Sequence, residues 1–171
     1  MNFLKSGRFE NSEIYKYRIF IIATSFAGLL ASLYGLFVEY SVEADPSYQP
    51  LCDINTFFSC SAPLNSSFGK GFGLLPSWIA IRNPYFGIAF YTFVIMLLKF
   101  QSSYLASNAL IVLALLSNLM TIYLGSILLF VIKTFCLVCV SIYVINFLLL
   151  SFSLLHRRSL SRFLERAKKQ N

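Results

Sequence analysis

The composition of this 171-residue chain is that of a membrane protein, because 57% of its residues are hydrophobic and only 12% are charged. Charged residues make up about 25% of an ordinary soluble domain, so a water-soluble globular class is excluded. The net charge of +7 does not indicate nucleic-acid binding, since most basic residues lie in the two tails, where they act as a topology signal.

Four apolar segments reach or approach the about 20 residues that cross a bilayer. They cover 19–38, 84–100, 104–130 and 134–155. The last two form a nearly continuous stretch that is too long for one crossing, and Lys133 and Thr134 are the polar break at which it turns back. The sequence therefore predicts an all-α integral membrane protein, a single domain built as a four-transmembrane-helix bundle with one polar loop, 39–83.

The first segment carries a stripe of small residues, Gly28, Ser32 and Gly35, that lets a neighbouring helix approach closely. Its apolar run is longer than the about 7–15 residues of a signal-peptide core, and no small-x-small cleavage site follows it. We therefore expect a permanent span. The alternative for the stripe is a lipid-facing surface.

Charge predicts the orientation of the spans. The basic tails, 1–18 and 156–171, belong on the cytosolic side by the positive-inside rule, and an even number of spans agrees with this. The loop 39–83 carries two basic and four acidic residues, so we place it on the opposite side. The turn at Lys133 and Thr134 then lies on the same face as that loop.

The four cysteines fall in two pairs. Cys52 and Cys60 lie in the polar loop, and Cys136 and Cys139 form a C-x-x-C at the start of the last span. The predicted orientation puts both pairs on one non-cytosolic surface, where a secretory pathway is oxidising enough for disulfides. Two thiol pairs on one surface predict disulfide exchange, and thus a relay for electrons.

The second cysteine pair is expected in the first turn of a helix. With Thr134 as the predicted N-cap, the helix dipole favours the thiolate of Cys136. Cys139, Tyr143 and Asn146 follow at helical spacing on the same face. Because polar groups within a span usually line a site or a helix contact, we expect this stripe to line a pocket that opens near the non-cytosolic surface.

The same residues also fit purely structural roles. The cysteines are compatible with disulfides that staple the loop to the bundle, and Tyr143 and Asn146 are compatible with hydrogen bonds between helices. Zinc binding is disfavoured, because Cys136 and Cys139 lie at membrane depth and the single histidine, His156, lies in the opposite tail. We expect no metal.

Several short segments together match one known pattern, in which the order and spacing of both cysteine pairs agree with a glycine-rich loop. They are Leu51-Cys52-Asp53, Ser59-Cys60-Ser61, Gly69-Lys70-Gly71-Phe72-Gly73-Leu74, Asn83 with Phe86-Gly87, and Phe135-Cys136-Leu137-Val138-Cys139 with Tyr143 and Asn146. In these segments the chain resembles the vitamin K epoxide reductase family, its animal members and their "like" paralogues. The resemblance covers all four spans.

The resemblance implies a thiol-dependent membrane oxidoreductase that reduces vitamin K 2,3-epoxide to the quinone and the quinone to the hydroquinone. It implies Cys139 as the attacking thiolate and Cys136 as the resolving thiol. Cys52 and Cys60 then pass electrons inward from a thioredoxin-like lumenal partner, with Cys60 exchanging with Cys136. The implied substrate-binding residues are Asn83 and Tyr143, which hydrogen-bond the quinone oxygens, and Phe86, Phe90 and Leu124.

The resemblance also implies the endoplasmic reticulum membrane, a vitamin K quinone or epoxide as substrate, no tightly bound cofactor, and coumarin-type inhibitors as ligands. The pair Lys168-Lys169 resembles a cytosolic di-lysine retrieval signal, and Asn65-Ser66-Ser67 is a glycosylation sequon on the lumenal side.

Bulky apolar residues interleave with glycines in the loop, which predicts a lid over the substrate; a plain interfacial anchor is the alternative. The lid residues are Phe68, Phe72, Leu74, Leu75 and Trp78, and Phe68 departs from the tryptophan common in vertebrate members.

Two other functions are compatible with the same residues. A disulfide-generating thiol oxidase passes electrons from thioredoxin-like partners to a membrane quinone, and it differs from the reductase in needing no epoxide. A non-enzymatic bundle that scaffolds partner helices uses its disulfides only for stability. In that case Cys139→Ala changes the stability of the fold and leaves the function intact.

Overall fold

The computed structural model describes residues 3–45, 47–55, 57–74, 76, 81–98 and 104–169, without the side chains of 3–11, 65 and 104. This part of the chain is helical and contains no β-sheet. Its α-helices are α1 (Phe3–Ala44), α2 (Ser61–Asn65), α3 (Asn83–Leu97), α4 (Tyr104–Ile127) and α5 (Leu137–Lys168). Two 3-10 turns, Ser67–Gly69 and Gly71–Gly73, precede α3, and α4 continues as a π-helical turn, Leu128–Ile132.

Three segments of the described chain are long and apolar enough to cross a membrane: Ser12–Ala44 in α1, Leu105–Ile132, and Leu137–Lys168 in α5. The fold class predicted from the sequence, an all-α integral membrane protein, is confirmed. Helix α3 is apolar but has only 15 residues, and Lys99 and Phe100, the end of the second predicted span, lie outside the described residues. The count of four spans therefore stays a prediction.

Helix α1 packs against α3 and α5, and α5 packs against α4. The small-residue stripe of α1 makes the contact with α3: Gly28 lies against the ring of Tyr91, and Ser32 lies against Gly87. A Cβ atom on Gly28 would overlap the Tyr91 ring, so only glycine permits this separation of the helices. The prediction that the stripe admits a neighbouring helix is confirmed.

The chain turns back between α4 and α5 at the predicted position. Lys133 ends the π-helical turn in the left-handed conformation, with φ of 57°, and its amide donates to the carbonyl of Leu128. The predicted N-cap, Thr134, is wrong: α5 begins at Leu137, and its N-cap is Cys136 in an extended conformation. The reason is tertiary, because Phe135 pairs with the loop backbone at Phe58 and this keeps the chain extended up to Cys136.

Candidate active site

The polar loop contains a disulfide between Cys52 and Cys60, whose Cα atoms are 5.8 Å apart. The carboxylate of Asp53 accepts hydrogen bonds from the amides of Cys60 and Ser61 and from the Ser61 hydroxyl. Burial alone raises the pKa of Asp53, but these hydrogen bonds outweigh it and hold the pKa below its ordinary value. Asp53 is therefore an anion at neutral pH that fixes the turn after Cys60.

Backbone hydrogen bonds join this loop to the start of α5. The amide of Phe135 donates to the carbonyl of Phe57 over 2.6 Å, and the amide of Ser59 donates to the carbonyl of Phe135 over 3.2 Å. The residues that follow, Cys60 and Cys136, are both 0% exposed. They share one buried cluster with Cys52 and Leu128, so the disulfide and the C-x-x-C pair meet at this point.

The two cysteines of the C-x-x-C pair are free thiols with different surroundings. The sulfur of Cys136 accepts a hydrogen bond from the amide of Cys139 over 3.2 Å, which places it at the positive end of the α5 dipole. Cys136 precedes the helix as its N-cap, contrary to the prediction that it lies in the first turn of α5. Cys139 packs against the buried cluster from the helix side.

A cavity of about 390 Å³ lies between α1, α3, α4, α5 and the two 3-10 turns, within the about 300–1,000 Å³ typical of small-molecule sites. Of the four cysteines, only Cys139 lines it. All the substrate-binding residues implied by the resemblance also line it: Asn83, Tyr143, Phe86, Phe90 and Leu124. The Tyr143 hydroxyl makes no hydrogen bond to the part of the chain that the structure describes, so it is available to a ligand.

A segment that we name the strap, Ser67–Gly73, lines the mouth of the cavity through Phe68, Gly69 and Phe72. Its residues Gly71, Phe72 and Gly73 have φ of 59°, 59° and 70°, a left-handed conformation that costs a non-glycine residue about 1–2 kcal/mol. Other groups hold Phe72 in it: its carbonyl accepts from the Tyr123 hydroxyl over 3.3 Å, and its ring lies 4.9 Å from the ring of Phe86.

Asn83 is the first residue of α3, and its side chain ties the strap to that helix. Its Oδ1 accepts from the amide of Phe72 over 2.8 Å, and its Nδ2 donates to the carbonyl of Phe68 over 2.7 Å. One N–H and one lone pair of this amide stay free for a ligand. Phe68 and Phe72 line the cavity, whereas Leu74 is 65% exposed. The other predicted lid residues, Leu75 and Trp78, lie outside the described residues.

A polar network forms the floor of the cavity, and the sequence predicted only one of its three residues. The Tyr91 hydroxyl donates to Oδ1 of Asn146 over 2.8 Å, and Nδ2 of Asn146 donates to the Thr121 hydroxyl over 2.9 Å. All three residues line the cavity. Asn146 was predicted from the α5 stripe, and it also makes hydrogen bonds between helices, the structural role that its spacing allowed. Tyr91 and Thr121 were missed, although a polar side chain within an apolar span was the available signal.

A family model described as "Vitamin K epoxide reductase family" matches residues 19–154. The chain belongs to this family. It is 38% identical over 139 residues to vitamin K epoxide reductase complex subunit 1 of Mus musculus, and 39% identical over 139 residues to the protein of that name from Rattus norvegicus. Each alignment covers 77% of this chain and 86% of the relative.

Membership in the vitamin K epoxide reductase family confirms the resemblance found in the sequence and makes the chain a membrane oxidoreductase. In this member the structure brings one thiol, Cys139, to an apolar cavity and gathers the other three cysteines behind it. The arrangement can carry out thiol–disulfide exchange between the loop and the cavity.

Proposed function

We propose that the protein is a vitamin-K-epoxide reductase that converts vitamin K 2,3-epoxide to the quinone, and the quinone to the hydroquinone, with electrons from a four-cysteine relay. One observation carries the proposal. Cys139 both lines the apolar cavity and packs against the cluster that holds Cys136 and the Cys52–Cys60 disulfide. An electron pair therefore has a continuous route from the loop to a bound ring.

The cavity suits an apolar quinone. Phe86, Phe90 and Leu124 provide apolar walls, and the strap over the mouth keeps bulk water from the reacting atoms. The Tyr143 hydroxyl and the free N–H of Asn83 donate to the two ring oxygens, and they stabilise the negative charge that develops there during reduction.

The chemical step begins with the Cys139 thiolate, which attacks the ring and forms a carbon–sulfur bond. Cys136 then attacks the sulfur of Cys139, breaks that bond and forms the Cys136–Cys139 disulfide, so that two electrons pass to the substrate. With two protons the quinone becomes the hydroquinone, and the epoxide becomes the quinone as its oxygen leaves as water. The position of Cys136 at the start of α5 favours the thiolate that the second attack needs.

The relay is completed by exchange between the two pairs. Cys60 attacks Cys136 and releases Cys139, and Cys52 then closes the loop disulfide. A thioredoxin-like lumenal dithiol reduces that disulfide again. A Cys52–Cys60 disulfide beside free thiols of the inner pair is the state that this exchange leaves. The basic tails support an orientation with both termini in the cytosol, and the proposed location is the endoplasmic reticulum membrane.

The test is dithiothreitol-driven turnover of vitamin K 2,3-epoxide in microsomes that contain the protein, with Cys139→Ala beside it. We expect turnover in the wild type and none in the variant, because the attacking thiolate is gone. Ser141→Ala is the matched control, since Ser141 is exposed on α5 and, among the described residues, its hydroxyl bonds only the carbonyl of Leu137 in its own helix.

Thiol-dependent quinone reduction without epoxide turnover would instead support the thiol oxidase. Turnover that survives in Cys139→Ala would contradict the assigned nucleophile. Absence of both activities from folded wild-type protein would overturn the enzyme proposal in favour of a disulfide-stapled bundle.

A further inference from the structure

We propose that Arg82 is a positioning residue for the substrate site: an ion-pair cluster on α1 holds it, and it in turn sets Asn83 and the strap at the mouth of the cavity. The effect on turnover rests on the proposed function. The effect on access to the cavity does not, because it concerns only the geometry around Arg82 and Cys139.

Arg82 reaches from the start of α3 to the last turns of α1. Its Nε lies 3.5 Å from Oε1 of Glu39, and its Nη2 donates to Oε2 of Glu43. The guanidinium lies over the ring of Tyr40, 4.0 Å from the centroid, and the Tyr40 hydroxyl is 2.8 Å from that of Tyr85 in the first turn of α3. One arginine therefore joins the end of α1 to the start of α3.

Stability is a weak explanation for this ion pair, because the pair is buried and sparsely hydrogen-bonded. The side chain of Glu39 is 2% exposed and that of Arg82 is 15% exposed. Within the described residues, neither oxygen of Glu39 accepts a hydrogen bond and Nη1 of Arg82 donates none. The desolvation of two such charges commonly equals or exceeds their attraction, and apolar residues of similar volume often serve stability as well or better. The pair has a clearer role in fixing the position of Arg82.

The backbone around Arg82 transmits that position to the strap. Arg82 pairs with Lys70 across an antiparallel bridge, and the amide of Gly71 donates to the carbonyl of Ile81 over 2.7 Å. The next residue is Asn83, whose side-chain amide holds the strap from the other side. The strap is thus held by two consecutive residues, of which only Asn83 lines the cavity.

A loosened Arg82 should therefore open the mouth of the cavity without changing the thiols. Single removal of Arg82 would leave Glu39 buried without its partner, and breaking a buried pair in this way is strongly destabilising. The informative variant is the double substitution Glu39→Gln with Arg82→Gln, which removes both charges and keeps polar side chains. The matched control is Glu13→Gln with Lys16→Gln, which neutralises an exposed pair on the same helix, 3.9 Å apart.

Two measurements are made on the full-length protein in microsomes. For the double variant we expect the KM for vitamin K 2,3-epoxide to rise about 10-fold while kcat changes by less than about 2-fold, the pattern of lost uniform binding. We also expect a water-soluble maleimide to label Cys139 about 5-fold faster, as located by mass spectrometry, because exposure governs thiol reactivity. The control pair should change neither quantity.

Unchanged KM and unchanged labelling in the double variant would overturn the proposal, even if its thermal stability fell, because a purely structural ion pair predicts that result. If the double variant does not fold, the KM and the labelling rate of Cys139 are measured in Arg82→Lys instead. This variant keeps the charge but loses the planar guanidinium. If the wild type turns over no substrate, the proposed function fails, and the labelling rates of Cys139 alone decide whether Arg82 positions the strap.

Discussion

The amide of Ser59 donates to the carbonyl of Phe135 over 3.2 Å, and this contact sets the residue before Cys60 beside the residue before Cys136. Two free thiols and one disulfide are thereby collected in one buried cluster at the end of the bundle. The loop disulfide therefore lies beside the thiols with which the proposed exchange takes place.

The first prediction concerns which cysteines exchange. With Cys52→Ala and Cys139→Ala combined, Cys60 and Cys136 should form a disulfide with each other, since both are buried in the same cluster. A disulfide requires Cα atoms within about 4.4–6.8 Å, which the backbone pairing at Phe135 favours. Peptide mapping by mass spectrometry without reduction detects the bond. The control combines Cys60→Ala with Cys139→Ala, and an equal yield of a Cys52–Cys136 bond would contradict the assigned order.

The second prediction concerns Asn83. Asn83→Asp keeps the acceptor for the Phe72 amide but replaces the donor to the Phe68 carbonyl by an oxygen, so two acceptors face each other. An unsatisfied group costs about 1–3 kcal/mol when it is buried. The lower part of that range applies to this half-buried contact, so we expect the KM for the epoxide to rise about 5-fold to 30-fold. Steady-state kinetics measure it. Ser126→Ala is the control, because Ser126 is exposed on α4 and its one hydrogen bond within the described part of the chain goes to the carbonyl of Ile122. An unchanged KM in Asn83→Asp would exclude this role.

The third prediction separates two glycines of the α1 stripe. A methyl group at Gly28 overlaps the ring of Tyr91, whereas one at Gly35 meets Pro84 and Val138 at an ordinary 3.6 Å. Gly28→Ala should lower the free energy of unfolding by about 1–3 kcal/mol, as overpacking does. Gly35→Ala should change it by less than about 0.5 kcal/mol. Thermal unfolding in detergent measures both, and equal effects would show that the α1–α3 contact does not depend on Gly28.

The fourth prediction concerns acid and the loop. Burial opposes the ionisation of Asp53, but hydrogen bonds from Ser61 and Cys60 outweigh it and lower the pKa of the carboxyl in the folded state. Its stabilisation of the loop is therefore complete above the unfolded pKa of about 3.9, and it is lost as pH falls through the lower folded value. The Cys52–Cys60 disulfide should then be reduced faster by a phosphine below about pH 4 than at pH 6.

Asp53→Asn is the control for this effect, because an amide does not titrate. It should show no acceleration specific to that acid range, and its disulfide should already be reduced faster at pH 6, since the charged acceptor for the Ser61 hydroxyl is lost. An acid response that is identical in wild type and variant would assign the loosening to another group.

Much of the membrane architecture could be predicted from local pattern. The apolar segments indicated the class, the polar break at Lys133 indicated the turn, and the stripe at Gly28 indicated a close helix contact, because each depends on residues adjacent in sequence or on one helix face. The cavity-lining positions of Cys139 and Tyr143 also followed from helical spacing. The network of Tyr91 and Thr121 did not, since it joins three helices whose relative rotation no local pattern specifies.

The sequence by itself determined that this protein is a helical membrane oxidoreductase of its family, because a bilayer demands long apolar segments and thiol exchange demands paired cysteines. Only the tertiary structure decided that Cys136 does not line the cavity. Helical spacing predicted Cys136 in the first turn of α5, but Phe135 pairs with the loop and keeps Cys136 out of the helix. Tertiary structure likewise joined Arg82 to Glu39, because a contact between residues so distant along the chain exists only once α1 and α3 have packed.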